Sequence, residues 1–280
     1  MEITNVHNLP ETLHNIMSQD IYKPSYSKLR VTELIGAPLV KQLMIEHWDE
    51  LSEDVSDGLW KILGTACHKV LEKGSPENSI GEERLSVTIG DTVITGCSDL
   101  YFKSGIQDWK VTSVFSFLLG VKEDWMAQLN VYKWLWEKNG FPVKSLKINA
   151  ILRDWQRSKA KYDPTYPQIP FLSFDVPMWS DSVITEYIFD RIAEHAIKPA
   201  RECSDEEKWK RPTTYAVMKA ENKKATRVLD TLEEAKAYIG ALDEKKQPEY
   251  KIDIREGECV KCESYCIVKD FCPYYTGKEK

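Results

Sequence analysis

The chain has no apolar run near the ~18 residues that a membrane-spanning helix needs. Its first residues, MEITNVHNLPETLH, lack the basic and apolar parts of a secretory leader. A cytoplasmic protein with no membrane partner is therefore expected. A positive excess is also missing: 38 Lys and Arg stand against 44 Asp and Glu, a formal net charge of −6. Any contact with nucleic acid must then run through a local basic patch or a bound metal, not through the field of the whole chain. There are no internal repeats and no low-complexity tracts, which removes solenoid and linker-rich architectures. What remains is ordinary for a globular chain: 280 residues, 42% hydrophobic and 29% charged, enough for one large domain or two small ones.

The most informative stretch is Thr88 to Lys110, TIGDTVITGCSDLYFKSGIQDWK. Val, Ile, Thr, Tyr and Phe dominate it, and Gly90-Asp91 and Ser104-Gly105 punctuate it as tight turns between three strands. With Ser104-Gly105 as a two-residue loop, Tyr101 faces Asp108 and Asp99 faces Lys110. Directly opposed residues share a face. Asp99, Asp108 and Lys110 then crowd one face, while Leu100, Phe102, Trp109 and Val111 form an apolar face expected to pack on a core. Two carboxylates and an ammonium gathered on one sheet face suit a divalent cation with a lysine beside its water. With Gly90-Asp91 as the other loop, Glu82 pairs with Asp99 and points to the same face.

Around this stretch the chain reads as follows. Residues 1–24 are a polar arm. Ser25 to Leu43 is helical, broken near Gly36-Ala37-Pro38. A stronger helix covers about Asp57 to Lys73, with His68 and Glu72 four apart on one face. Strands are expected at about 83–89, 92–102 and 106–112. Residues 121–138 form the clearest amphipathic helix, with Gln128 and Tyr132 on one face. Strands follow at 145–155 and in FLSFDVPMW, separated by a polar loop from Gln156 to Pro170, and 180–197 is helical. A basic accessory segment spans 199–256, with a hairpin around Glu221-Asn222-Lys223, a helix capped by Thr231 and Glu234, and the strand KIDIRE. A cysteine-rich tail spans 257–280.

Gly64-Thr65-Ala66-Cys67-His68, Gly96-Cys97-Ser98-Asp99, Asp108-Trp109-Lys110 and Gln128-Leu129-Asn130-Val131-Tyr132 form an ordered set. That set resembles the PD-(D/E)XK nuclease superfamily, in its RecB-like exonuclease branch. The resemblance covers roughly residues 25–155 and the C-terminal cysteines. It implies a restriction-endonuclease-like α/β core, a mixed central sheet flanked by helices, over residues 25–198. It also implies a Mg²⁺- or Mn²⁺-dependent deoxyribonuclease of recombination, repair or phage DNA metabolism, in a bacterial cell or an infected host. DNA would be its substrate, and a recombination or annealing protein a partner. Asp99 and Asp108 would hold the metal, with the Trp109 carbonyl and His68 as further ligands. Lys110 would position or deprotonate the attacking water, Glu82 would add an acid, and Gln128 and Tyr132 would shape the site. Taken singly, these residues have ordinary readings: a satisfied histidine, a cross-strand ion pair, the polar edge of a helix. Two rival functions share the fold, a non-catalytic DNA-binding subunit and a CRISPR-adaptation nuclease.

Of seven cysteines, Cys67, Cys97 and Cys203 are scattered, while Cys259, Cys262, Cys266 and Cys272 form C-x2-C-x3-C-x5-C. In a cytosolic chain such clustering points to metal rather than disulfides. The continuous run is closer to iron–sulfur ligation than to paired zinc knuckles, so [4Fe–4S] is favoured and Zn²⁺ is the alternative. The iron–sulfur RecB-like nucleases place one cysteine in the N-terminal helical part; here GAPLVKQL occupies that place and has none. Between Lys208 and Arg227 seven basic residues accompany one acid, Glu221, and the aromatics Trp209 and Tyr215. This segment could track a DNA strand, or be a solvated surface.

Overall fold

The structure is a computed structural model that describes residues 1–19, 21–118, 122–220 and 222–276. Val121 and Glu221, placed above in a helix and a turn, lie outside the described residues. The chain forms two compact units, Met1–Arg201 and Glu202–Lys280.

The first unit runs β1 (Glu2–Thr4), α1 (Glu11–Gln19), β2 (Lys28–Arg30), α2 (Val31–Leu34), α3 (Pro38–Glu46), β3 (Ser52–Asp54), α4 (Leu59–Glu72) and β4 (Ile80–Gly81). It continues with β5 (Arg84–Ile89), β6 (Thr92–Cys97), β7 (Leu100–Phe102), β8 (Gly105–Thr112), α5 (Val114–Leu118) and α6 (Glu123–Lys138). It ends with β9 (Ser145–Leu152), α7 (Arg157–Tyr162), β10 (Phe171–Asp175) and α8 (Asp181–Ala196). A five-stranded mixed sheet in the order β10-β9-β8-β7-β4 is its centre. Strands β8 and β9 are parallel, and α6 lies in the crossover between them. The other pairs in this sheet are antiparallel. A second, three-stranded sheet has the order β2-β6-β5. The expected mixed sheet flanked by helices is thus the observed architecture.

Several local expectations are corrected. Residues 1–24 are not a loose arm: β1 pairs in parallel with β3, and Met17 of α1 is buried. The start of the expected Ser25–Leu43 helix is instead β2, whose Leu29 is 2% exposed and whose strand pairs in parallel with β6. Chain direction changes at Gly36-Ala37-Pro38, where Pro38 opens α3. Arg191 of α8 donates from Nε to the Leu34 carbonyl at 2.9 Å and from its terminal nitrogen to that of Gly36. These bonds satisfy carbonyls that the end of α2 leaves open. The expected loop 156–170 contains α7.

The single strand expected over 92–102 is two strands in two sheets. The ladder of β6 with β5 ends at Cys97, and β7 begins at Leu100. Ser98 and Asp99 lie between the sheets. The hairpin after β7 turns on Lys103-Ser104, both at positive φ (49° and 60°), not on Ser104-Gly105. Gly105 serves packing instead: a Cβ there would lie 2.5 Å from Ser145 Oγ on β9.

The core lies on one face of the five-stranded sheet. Ile106 of β8 and Leu146, Ile148 and Ala150 of β9 are at most 1% exposed and belong to one cluster with Leu129, Leu135 and Trp136 of α6. Burying each such large side chain contributes ~1.5–3 kcal/mol. By the pairing rule Asp108 and Lys110 share this face with Ile148 and Ala150. The expectation that Trp109 and Val111 face the core is therefore reversed: both are only half-buried. Their face carries a polar ladder, in which Asn149 donates to Gln107 at 2.9 Å and accepts from Ser173 at 2.8 Å.

The second unit holds β11 (Thr214–Lys219), β12 (Arg227–Leu229), α9 (Leu232–Gly240), β13 (Tyr250–Arg255), α10 (Val260–Ser264) and α11 (Pro273–Thr276). Its antiparallel sheet has the order β12-β11-β13. Thr231 and Glu234 make the expected reciprocal cap of α9. The segments expected separately as accessory and tail belong to this one unit.

Candidate metal-and-lysine site

The one-residue slip of the hairpin moves every cross-strand partner by two. Leu100 pairs with Gln107 and Tyr101 with Ile106, so the register carried on puts Asp99 opposite Asp108 rather than Lys110. A shift of two preserves the side-chain parity. The three groups accordingly still converge, by a different set of contacts.

Asp99 occupies the break between the two sheets. Its Oδ2 accepts the Trp109 backbone N–H at 2.6 Å, and its Oδ1 lies 3.0 Å from His68 Nδ1 on α4. The preceding Ser98 is 2% exposed, and its Oγ accepts Trp136 Nε1–H from α6 at 2.9 Å. The corner is therefore held from a strand and from two helices. Gly96, the motif glycine three residues earlier, has a packing role. A Cβ there would lie 2.6 Å from Leu135, 2.7 Å from Val31 and 2.8 Å from Tyr132.

Asp108 is 3% exposed. Lys110 Nζ stands 2.8 Å from its Oδ2, a close ion pair. Burial pushes the Asp108 carboxyl above its ordinary range. The Lys110 charge pulls it down, and the Asp99 charge pushes it up again. Lys110 also donates to Gln128 Oε1 at 3.0 Å, and Gln128 Nε2 donates to the Tyr132 hydroxyl at 3.2 Å. Burial raises the Tyr132 phenol, which keeps it neutral. The hydrogen bond to Asp99 raises His68 above its usual range, against the effect of burial.

Glu82 sits opposite Asp99, its N–H reaching the Asp99 carbonyl at 3.4 Å. Its carboxylate is held at 2.5 Å by Lys69 of α4, a contact the sequence reading missed. Glu82, His68, Asp99 and Trp109 line one small recess with Leu71 and Ser75. Trp109 enters the site through its backbone amide.

The donor set, two carboxylates beside an imidazole, suits a hard divalent ion. Among the described residues no three His, Cys, Asp or Glu side chains already stand arranged around one ion. Here the cation neighbours of the two acids are Lys110 and His68.

The second unit holds five of the seven cysteines: Cys203, Cys259, Cys262, Cys266 and Cys272. All five are half-buried. Burial first, then the neighbouring Cys259, Cys266 and Cys272, raise the Cys262 thiol above its ordinary range, against the Lys208 charge. Cys203, read as scattered, lies within the electrostatic reach of Cys262, Cys266 and Cys272. Four thiols in so short a run would suit Zn²⁺ or an iron–sulfur cluster, but among the described residues no three of them already stand grouped around one ion. Four of the seven basic residues between Lys208 and Arg227 stand beside acids: Lys208 by Glu202, Lys210 by Asp205 at 3.2 Å, Arg211 by Glu258 at 3.4 Å and Lys219 by Glu249 at 3.0 Å. Trp209 is half-exposed and lies against Tyr265, ring centroids 5.5 Å apart. These contacts favour the solvated-surface reading of the segment over a nucleic-acid track.

No protein-family profile matches the chain, and no curated protein matches it. Solved structures similar to the chain include three described here. The crystal structure of SSO0001 is 17% identical with a TM-score of 0.45, over 65% of this chain and 82% of that one. An alkaline exonuclease from Laribacter hongkongensis is 10% identical with a TM-score of 0.40, over 61% and 86%. A phage-related exonuclease from Haemophilus somnus 129PT is 15% identical with a TM-score of 0.36, over 63% and 93%. Among the described residues no helix is long and apolar enough to cross a membrane.

Proposed function

We propose that this chain is a metal-dependent nuclease that hydrolyses phosphodiester bonds in DNA, as an exonuclease of recombination, repair or phage DNA metabolism. One observation carries the reading: four motifs far apart in sequence converge, with His68 on Asp99, Asp99 on the Trp109 amide, and Lys110 between Asp108 and Gln128. In this reading Asp99 and Asp108 hold Mg²⁺ or Mn²⁺, and the Trp109 carbonyl and His68 ring complete the protein's share. When bound, such an ion lowers the pKa of water and offsets charge on the phosphoryl oxygens. Lys110 orients the attacking water or takes its proton. Gln128 fixes the Lys110 ammonium, and Tyr132 fixes Gln128. Glu82 adds a further acid at the rim. The thiols of the C-terminal run hold a soft metal, a [4Fe–4S] cluster in preference to Zn²⁺.

The test is a time course on end-labelled linear DNA and on circular DNA, with Mg²⁺ or Mn²⁺, for the wild type, Asp108→Ala and Lys110→Ala. An exonuclease releases label from the linear substrate, spares the circle and loses activity in both variants. Equal degradation by all three proteins, or none by any, removes the assignment.

A further inference from the structure

The three-stranded sheet β2-β6-β5 has one side on the core and one side open. Leu29, Leu85 and Ile94 share the core side, where they cluster with Leu135 of α6. By the same register the opposite side carries Lys28 and Arg30 of β2, Thr95 of β6, and Arg84 and Ser86 of β5. Three cations thus gather on one small sheet, in a chain whose formal net charge is −6. Glu33, the acid closest to them in sequence, is engaged elsewhere: its carboxylate accepts the Arg30 N–H at 2.7 Å and lies 3.9 Å from Lys41. The Arg30 guanidinium lies over the Tyr22 ring.

A groove of about 550 Å³ runs along this open side. Ser25 and Ser27 of the turn before β2 line it, with Lys28, Arg84, Ser86 and Thr95. Among the described residues neither a carboxylate nor an aromatic ring lines it. Thr95 is 5% exposed, and its hydroxyl has no hydrogen-bond partner among the described residues. Buried hydroxyls are nearly always paired, so an unpaired one in the wall of a polar groove marks a place for a group from outside. An ammonium, a guanidinium and several hydroxyls, with no acid among them, suit an anion that offers many acceptor oxygens. Phosphate meets donors spread over three strands better than the two oxygens of a carboxylate do. A nucleobase finds no ring to stack on. The groove also leads toward the candidate site: Arg84 pairs with Cys97, two residues before Asp99, or about 7 Å along the strand.

We infer that the open side of the β2-β6-β5 sheet is a phosphate-binding site, in which Lys28, Arg84 and the Thr95 hydroxyl hold a backbone phosphate of a DNA strand outside the metal-and-lysine site. The phosphate class stands on the groove itself; that the phosphate belongs to DNA rests on the proposed nuclease reading. Lys28 and Arg84 supply charge, and each such contact releases a counterion from the strand. Thr95 donates its hydroxyl proton to a phosphate oxygen, which pairs the one lining group that the fold leaves buried and unpaired.

The test measures binding without cleavage. Fluorescence anisotropy of a labelled single-stranded oligonucleotide is followed with the full chain, without added Mg²⁺ or Mn²⁺, over a range of salt. The proteins are the wild type, Lys28→Gln, Arg84→Gln, Thr95→Val and, as a control on β13, Lys251→Gln. Lys28→Gln and Arg84→Gln should each weaken binding about tenfold or more and reduce the slope of log K against log salt by about 0.7. Thr95→Val should weaken binding about fivefold with the slope unchanged. Its melting temperature should be no lower than that of the wild type, which separates a lost ligand contact from a lost fold. Lys251→Gln should bind as the wild type does, and an oligonucleotide with a neutral methylphosphonate backbone should bind all five proteins alike. Inorganic phosphate forms the second arm. If it raises the melting temperature of the wild type and not of Arg84→Gln, while all five proteins bind the oligonucleotide equally, the anion stands and the DNA strand is overturned. Equal oligonucleotide binding with no response to phosphate overturns the site, as do losses in Lys251→Gln as large as those in Arg84→Gln. No hydrolysis enters these measurements, so a chain that binds through Arg84 and cleaves nothing removes the nuclease reading and keeps this site.

Discussion

Asp99 Oδ2 accepts the backbone N–H of Trp109 at 2.6 Å, so one acid of the proposed metal site is also the clamp on the strand that carries the other. The two roles separate by substitution. Asp99→Asn keeps an oxygen for the amide and loses the charge; Asp99→Ala loses both. Both variants should lose nuclease activity by about 10²–10³-fold, the scale of removing one electrostatic contact at a reacting centre. Only Asp99→Ala should also lose stability, by ~1–3 kcal/mol for an amide left unpaired. Initial rates and urea midpoints for the two variants check this.

Divalent metal should stabilise the fold measurably. An ion that binds only the native state at a hundredfold over its dissociation constant adds about 2.7 kcal/mol. Thermal melts of the wild type should therefore rise on adding Mn²⁺ or Mg²⁺ and return with EDTA. Asp108→Asn, which keeps the shape of a side chain only 3% exposed, should show no such rise.

Two motif glycines should behave in opposite ways. A methyl at Gly96 would sit within 2.8 Å of three side chains, so Gly96→Ala should cost about 1–3 kcal/mol. Nothing lies within 4 Å of a methyl at Gly64, midway along α4. Gly64→Ala should stabilise the protein by about 0.5–1 kcal/mol. Denaturation midpoints of the pair decide both.

His195 supplies a pH dependence away from the candidate site. Burial, with the Arg191 and Lys41 charges, lowers its pKa from 6.5 to about 4, against the Leu34 carbonyl and Glu194. The ring is neutral in the fold, while the unfolded chain takes up a proton below pH 6.5. Its contribution is thus complete above pH 6.5 and is lost as the pH falls toward 4. After discounting for partial exposure, the loss is about 1–2 kcal/mol. Urea midpoints at pH 7 and pH 4.5 should differ more for the wild type than for His195→Gln.

The elements that read correctly from sequence are those with a long unbroken period. α4, α6, β8 and β9 each carry enough apolar repeats to declare themselves. The convergence of Asp99, Asp108 and Lys110 survived an error in the turn because the slip preserved parity. The division between β6 and β7 was hidden, since Cys97-Ser98-Asp99-Leu100 contains neither Gly nor Pro to mark it. The core side of β8 was misjudged because Asp108 and Lys110 look like solvent-facing residues, while their neighbours on β9, Ile148 and Ala150, are fully buried. The contact of the Lys208–Arg211 backbone with residues 258–261 gave no local signal, because its partners lie some fifty residues apart in sequence.

Helix α6 touches the site at two points eight residues apart: Gln128 steadies the Lys110 amine, and Trp136 grips Ser98 next to Asp99. At ~1.5 Å per residue, that is a rigid gauge of about 12 Å. The amine and the acid are thereby indexed to a single rod rather than to each other. A change that tilts or slides that rod misaligns both together, so repairing one end cannot restore the other.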